Sequence, residues 1–222
     1  MFKRYKADSR ALCRKSKIKG VGINDAWYKT SYLDESGVRQ RCPYYVRWTS
    51  MFTRCYGEHH PLRNPTYEGC SVDQDWHLFS NFLKWMEEQD WVGKQLDKDI
   101  LVEGNKVYGG DTCIFVDSNL NQLFSTRSRG NGLPCGVAHH KAGRKYQAYC
   151  NLKGKRVHLG LFTCLDTAEL AHLGKKLEAI KGILSELGES FQDKLSLAIR
   201  RKVRIYECRA ESLTLKLRNG EI

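Results

Sequence analysis

The sequence predicts an α+β protein, and three patterns lead to that prediction. Apolar residues recur at helical spacing over 44–56, an order of strand, loop, strand and helix follows over 96–124, and three short alternating strands precede a helix after residue 133. The 222 residues, 41% hydrophobic and 11% aromatic, suffice for real cores. We therefore expect a small strand–strand–helix domain with flanking helices, then a three-stranded antiparallel sheet packed on one helix, then a C-terminal helix.

The first two segments of the chain differ in how much structure they predict. Residues 1–40 are basic and rich in turn formers, which predicts an N-terminal arm with limited structure, either a simple tail or a phosphate-contacting arm. A domain is predicted over 41–125. Its first helix starts at Pro43 and stops at Gly57, and its second is a single aromatic-rich helix capped by Asp75.

The stretch "LDKDILVEGNKVYGGDTCIFVDSNLNQLF" carries more polar residues than a turn needs. Asn105 and the Gly109–Asp111 group supply turn chemistry, "TCIFV" has strand composition, and Asp117 or Ser118 can cap a short helix. The polar residues that exceed the needs of a turn are Asp97, Lys98, Asp99, Asn105, Asn119 and Asn121. They make this segment the first candidate functional site.

A second domain is predicted over 132–188, after the linker "STRSRGNG". The strands "CGVAHH", "RKYQAYCNL" and "KRVHLGLF" alternate in polarity, and a helix capped by Asp166 or Thr167 follows them. With that helix behind the sheet, the opposite face stays open. It carries Lys145, Gln147, Tyr149, Asn151, Arg156 and His158.

The remaining segment, 189–222, begins as a basic amphipathic helix. It could pack on the first domain, form a dimer or touch DNA, and its sequence favours none of the three. The oligomeric state is equally open.

Charge is distributed unevenly along the chain. The formal net charge is +12, and between Ser118 and Leu165 there are eight Lys or Arg and three His but no Asp or Glu. By contrast, Cys70 to Gly104 holds eight acidic residues and three Lys. Because ordinary surfaces mix both signs, a long stretch without acids favours a polyanionic partner over a merely solvated face. We expect that partner to be double-stranded DNA.

Cysteine usage and hydropathy bear on compartment and metal content. The nine cysteines include no CxxC pair, and the basic N-terminus has no apolar core of a signal peptide, so we expect reduced thiols in a cytoplasm. No apolar run has the length of a membrane span, and no membrane partner is expected. A zinc site from Cys42, Cys55, Cys70 and His59 or His60 is conceivable, but the spacing is not typical of zinc sites.

Residues 133–188 resemble the plant ethylene-response-factor type of DNA-binding domain, which also occurs in phage and mobile-element proteins. The stretches that carry the resemblance are "GVAHHKAGRKYQAYCNLKGKRVHLGLF" and "TAELAHLGKKL". The resemblance implies that the sheet lies in the major groove, with the helix behind it. The DNA-contacting residues it implies are His140, Lys145, Gln147, Tyr149, Asn151, Arg156 and His158. The plant domains have more Arg and Trp there, so the target sequence is not implied.

Residues 44–124 resemble free-standing phage HNH endonucleases of the His-Me finger class, which often carry the same sheet-and-helix domain. The supporting stretches are "WTSMFTRCY", "CSVDQDWHLFSNFLKWM" and "LDKDILVEGNKVYGGDTCIFVDSNLN". The resemblance implies a ββα finger in which Asp97 and Asn121 bind Mg²⁺ or Mn²⁺.

The HNH pattern is incomplete at its catalytic position. Lys98 stands where the family has its general-base His, and Thr112 where it has a central Asn. A Lys is protonated at neutral pH and cannot accept a proton, and the flanking Asp97 and Asp99 should raise its pKa further. Two interpretations remain. One is a metal-dependent DNA endonuclease with catalytic residues Asp97, Lys98 and Asn121 or a relocated base (His59, His60 or His77). The other is a catalytically silent, nuclease-derived DNA-binding protein.

Overall fold

A computed structural model describes residues 2–8, 17–125, 132–141, 143–187 and 193–220. Helices and small, mostly antiparallel sheets are mixed along the chain, which confirms the α+β class. The chain divides into two compact units, Met1–Phe115 and Val116–Ile222. The finer domain boundaries stay predictions, and the linker from 126 to 131 lies outside the described residues. None of the described helices combines the length and the apolar character needed to span a membrane.

The first unit is built on two main helices. Helix α1 (Pro43–Tyr56) begins at the predicted proline, a short α2 (His60–Arg63) follows, and α3 (Phe79–Glu87) closes the core. Trp48, Phe52 and Phe79 are all fully buried. The aromatic residues of this unit therefore form its core, as their helical spacing indicates.

The N-terminal segment has more structure than its composition predicts. Strands β1 (Ser31–Leu33) and β2 (Arg39–Arg41) form a hairpin, and Tyr28 is buried against the helical core. The expectation of limited structure is therefore wrong for residues 17–40. The stabilising contacts are tertiary ones, such as that of the Tyr28 hydroxyl with the Cys42 thiol at 3.5 Å, and periodicity does not reveal them.

The second predicted helix is interrupted. A 3₁₀ turn covers Gln74–His77, capped by Asp73 rather than Asp75, and α3 starts after Leu78. Leu78 is extended because it bridges Ile23: the Ile23 amide donates to the His77 carbonyl, and the Phe79 amide donates to the Ile23 carbonyl. Pairing with a residue far away in the sequence thus overrides the local helical spacing.

Short strands position the Leu96–Phe124 segment. Strand β3 (Ser71–Val72) pairs in parallel with β5 (Val107–Tyr108), and β4 (Gln95–Asp97) pairs with β6 (Ile114–Val116). Helix α4 (Ser118–Phe124) follows β6. The predicted order of strand, loop, strand and helix is present, with β5 as an additional strand inside the loop.

The second unit contains the predicted three-stranded sheet. Strands β7 (Val137–His139), β8 (Tyr146–Leu152) and β9 (Lys155–Phe162) are antiparallel in the order β7–β8–β9. Helix α5 (Leu165–Glu186) packs on β8, and α6 (Lys194–Arg218) packs on α5. The small core between sheet and helix contains Val137, Ala148 and Ala168.

Helix α5 buries polar as well as apolar groups, and its N-cap is Cys164 rather than Asp166 or Thr167. Glu169 accepts a bidentate hydrogen bond from Arg209 on α6, with both distances 2.8 Å. Two turns further along α6, Lys216 Nζ lies 2.6 Å from Asp166 Oδ2. These two ion pairs hold the C-terminal half of α6 against the start of α5. This half of α6 therefore packs within the second unit.

Candidate nucleic-acid interface

The register of the sheet separates an inner face from an outer face. Across β8 and β9, Tyr146 pairs with Phe162, Ala148 with Gly160 and Cys150 with Val157 on the inner face. The outer face carries the alternate pairs Gln147–Leu161, Tyr149–His158 and Asn151–Arg156. Because helix α5 covers the inner face, the outer face is the one left for a ligand.

A β-bulge shifts this register within β9. The pairing slips between Ala148 and Tyr149, so that Leu159 is an extra residue on β9. Gly160 takes φ = +130°, and an added Cβ there would lie 3.3 Å from the Phe162 ring. The bulge moves Phe162 into the core and leaves Leu161 on the outer face, 42% exposed. Strict alternation would place Leu161 inside with Leu159.

Two side-chain pairs dominate the outer face. The Arg156 guanidinium carbon lies 4.2 Å from the centroid of the Tyr149 ring. The Gln147 amide Nε2 lies 3.1 Å from His158 Nδ1. The first pair is a cation–π stack that holds an exposed arginine over a nearly buried ring. Four of the seven residues implied by the family resemblance thus lie together in two contacting pairs.

The other three residues lie near the edges of this face. Asn151 pairs with Arg156 in the ladder, and Lys145 is exposed directly before β8. His140 follows β7, and its amide donates to the Lys145 carbonyl at 2.9 Å. All seven predicted DNA-contacting residues therefore belong to the sheet or its adjoining turn.

Helix α5 supports Tyr149 from behind, through a residue that the sequence analysis did not select. His172 Nδ1 lies 2.7 Å from the Tyr149 carbonyl oxygen, to which it must donate, and the Tyr149 amide donates to the Gly136 carbonyl at 2.8 Å. Burial lowers the pKa of His172, which favours the neutral ring. The one sequence signal for this role was a histidine four residues after Ala168, on the inward side of the helix.

Gly136 makes room for this support. It has φ = +77°, and a Cβ built on it would lie 1.9 Å from His172 Nδ1. Any larger residue would displace the imidazole, so the hydrogen bond to Tyr149 depends on a glycine here.

Lys176 is a second polar residue of the inner side of α5 that the sequence analysis missed. It is 4% exposed, donates to the Ser125 carbonyl at 3.2 Å and lies 4.6 Å from the centroid of the Tyr206 ring. Burial lowers the pKa of its ammonium. A lysine in this position serves the packing of α5 and is turned away from the outer face.

The Asp97 turn in the first unit is arranged differently. Asp97 ends β4, and its Oδ1 accepts from the amides of Asp99 at 2.7 Å and Ile100 at 2.8 Å. Burial raises the pKa of Asp97, and the two amide hydrogen bonds oppose this shift without reversing it. The carboxylate thus serves as the acceptor of a tight turn.

Lys98 is directed into the protein. It is 5% exposed, and its ammonium donates to Asp99 Oδ1 at 2.6 Å and to the Asn105 carbonyl at 2.7 Å. Burial lowers the pKa of Lys98, but the hydrogen bond and the charge of Asp99 outweigh burial, and the pKa lies above its ordinary value. Lys98 is therefore a cation at neutral pH and cannot act as a general base.

The remaining residues of the nuclease pattern lie apart from this turn or serve local structure. Asn121 lies on α4 in the second unit, whereas Asp97 belongs to the first, and their convergence stays a prediction. Thr112 donates its hydroxyl to the Val107 carbonyl. Of the spare histidines, His77 contacts the Val72 carbonyl, His60 packs on Tyr67, and His59 precedes α2.

The residues around Asp97 do not fit a catalytic metal centre. One carboxylate oxygen already binds two amides, and the next residue is a protonated lysine, which would repel a divalent cation. Within the described ranges, no three or more His, Cys, Asp or Glu side chains are grouped to hold a metal ion. The zinc candidates are not grouped in this way either. Cys42 contacts the Tyr28 hydroxyl, and Cys70 contacts the Thr66 carbonyl.

Comparison of the chain with protein-family models, curated proteins and solved structures finds no match.

Proposed function

We propose that this protein binds double-stranded DNA through the outer face of the β7–β8–β9 sheet. The observation that carries the proposal is the Arg156–Tyr149 stack on an exposed sheet face without acidic residues. A two- or three-stranded β-ribbon fits the major groove of B-DNA, and arginine is the most frequent side chain in contact with guanine there. The resemblance to the ethylene-response-factor type of domain supports the same docking mode.

The electrostatics of this region support phosphate contacts as well. Lys145, Lys153, Lys155 and Arg156 are all exposed on or beside the outer face. No acid occurs from Ser118 to Leu165, so these cations have no acidic neighbours in the sheet itself. A polyanion can therefore replace water around them without competing against internal carboxylates.

The geometry of the Asp97 turn favours the catalytically silent interpretation over the endonuclease. The Lys98–Asp99 ion pair occupies the position where the nuclease family has its general base. A DNA-binding protein derived from a nuclease retains the scaffold without needing that base. The ββα finger, with Asp97 at the end of β4 and Asn121 on α4, is part of this proposal.

Binding is tested by fluorescence anisotropy with a 30-base-pair duplex at 50 to 200 mM salt. Each phosphate neutralised should contribute about −0.9 to the slope of log K against log salt. Arg156→Ala should reduce affinity, whereas Arg39→Ala, which removes an exposed arginine from the β1–β2 hairpin, serves as the charge-matched control. A flat salt dependence, or equal losses for both variants, argues against this interface.

Catalytic silence is tested by incubating supercoiled plasmid with the wild type in Mg²⁺ or Mn²⁺. We expect no nicking above background. Asp97→Ala and Lys98→His are assayed beside it. Nicking by the wild type that Asp97→Ala abolishes would instead establish the endonuclease. Nicking by Lys98→His alone would show that the scaffold retains the rest of the active site.

A further inference from the structure

The outer face of the sheet combines one exposed apolar side chain with a hydrogen-bonded polar pair. Leu161 is the ladder partner of Gln147, whose amide in turn contacts His158. Single exposed leucines are common on protein surfaces. This one, however, reaches the outer face through a bulge that requires Gly160, and it stands next to the two side chains best suited to read a base edge.

The Gln147–His158 contact fixes which hydrogen-bonding groups face outward. The amide nitrogen of Gln147 can only donate, so His158 Nδ1 is the acceptor of the 3.1 Å contact. The neutral imidazole then carries its proton on Nε2. The pair is left with one acceptor, Gln147 Oε1, and with donors on His158 Nε2 and on the second amide hydrogen of Gln147.

These groups complement an A·T base pair. In the major groove adenine presents the N6 donor beside the N7 acceptor, and thymine adds its C5 methyl group. We propose that Gln147 and His158 bind the adenine edge and that Leu161 contacts the methyl of the paired thymine. This A·T-reading subsite rests on the proposed function and adds to it the class of base pair that the sheet selects.

A G·C pair fits the same three side chains less well. Guanine presents O6 and N7 as adjacent acceptors, and the donor N4 belongs to cytosine, so a Gln147 amide placed on the purine edge would have its Oε1 facing another acceptor. Cytosine has no methyl group for Leu161. The subsite therefore discriminates by an unfavourable contact as well as by favourable ones.

The first experiment compares sequence preferences. Duplexes are selected from a randomised pool by the wild type, Gln147→Ala, Leu161→Ala and the control Lys155→Ala, with the fold of each checked by circular dichroism. The wild type should enrich an A·T pair, and Gln147→Ala should lose about 5- to 150-fold of that preference. Lys155→Ala, which removes an exposed cation, should weaken all sequences alike.

The second experiment alters single atoms of the DNA. Replacing the selected thymine by deoxyuridine removes one methyl group and should weaken wild-type binding about fourfold. Leu161→Ala should be insensitive to this replacement. Replacing the adenine by 7-deazaadenine should likewise weaken the wild type but not Gln147→Ala.

The outcomes separate this inference from the proposed function. If the wild type enriches a motif whose A·T preference survives in Gln147→Ala and Leu161→Ala, the subsite is overturned while DNA binding stands. Binding without any sequence preference has the same consequence. If the wild type binds no duplex at 50 mM salt, both fail together.

Discussion

The outer sheet face and the Asp97 turn use their cations in opposite ways. Arg156 is exposed over an aromatic ring in a region without acids, whereas Lys98 is buried against Asp99 and a carbonyl in a region rich in acids. One cation remains available to a ligand, and the other is neutralised by its own chain. The neighbours of a basic residue therefore determine, more than its presence does, whether it can contact a polyanion.

The two regions can be followed separately in one sample. All five tryptophans lie in the first unit, at positions 27, 48, 76, 85 and 91. Tryptophan fluorescence therefore monitors unfolding of the first unit, and far-UV circular dichroism monitors both.

We expect the greatest loss of stability when the support behind the sheet is disturbed. Gly136→Ala places a methyl group on His172 at a positive φ, and we expect a loss of about 3 kcal/mol in the free energy of unfolding. Gly154→Ala, also at positive φ but with open space around it, should cost about 1 kcal/mol. Urea unfolding followed by circular dichroism measures both. Equal losses of stability in the two variants would contradict the steric explanation. A shift of the same size in the fluorescence transition would show that the first unit is destabilised instead.

The comparison itself is tested by removing one cation from each region. Arg156→Ala should weaken DNA binding about 5- to 150-fold without changing the fluorescence transition. Lys98→Met should leave DNA affinity unchanged but lower the stability of the first unit by about 1–3 kcal/mol, because the variant loses both hydrogen bonds of the ammonium. If Lys98→Met impairs DNA binding as much as Arg156→Ala does, the proposed difference between the two cations is wrong.

The stability of the second unit should fall as pH decreases through about 6.5. The folded-state pKa of His172 lies below the ordinary value of 6.5 because the ring is buried, so the unfolded chain takes up the proton first. Glu169, Lys176 and the Tyr149 carbonyl are the groups that face it. Thermal unfolding at pH 7.5 and 5.5 should show a smaller loss for His172→Gln than for the wild type. His139→Gln, an exposed histidine on β7, is the control and should behave like the wild type.

The smallest effect is expected at Asp97. Its folded-state pKa is raised, so stability is lost as pH rises from the ordinary value of 3.8 through the raised one. Asp97→Asn keeps an oxygen for the two amides and removes a half-buried charge, and should gain less than about 1 kcal/mol at pH 7. Asp99→Asn, which breaks the pair with Lys98, should instead destabilise. A marked loss for Asp97→Asn would show that its charge is needed there.

Local patterns in the sequence were sufficient to predict much of this fold. Pro43 and the apolar spacing after it located α1, and alternation located the strands of the sheet and the outward positions of Gln147, Tyr149, Arg156 and His158. The absence of Asp and Glu from Ser118 to Leu165 is visible in the sequence without a structure. These features depend on neighbours within a few residues, for which periodicity and composition are direct signals.

Tertiary contacts decided the rest. Pairing with Ile23 interrupted the predicted helix at Leu78, and the bulge at Gly160 turned Leu161 outward against the alternation. The carbonyl of Asn105, seven residues away, helped to draw Lys98 inside, and Gly136 admitted His172 behind Tyr149. Each outcome depends on groups that the folded chain brings together from distant positions, so the sequence determined the candidate residues, and packing determined which of them remain accessible to a ligand.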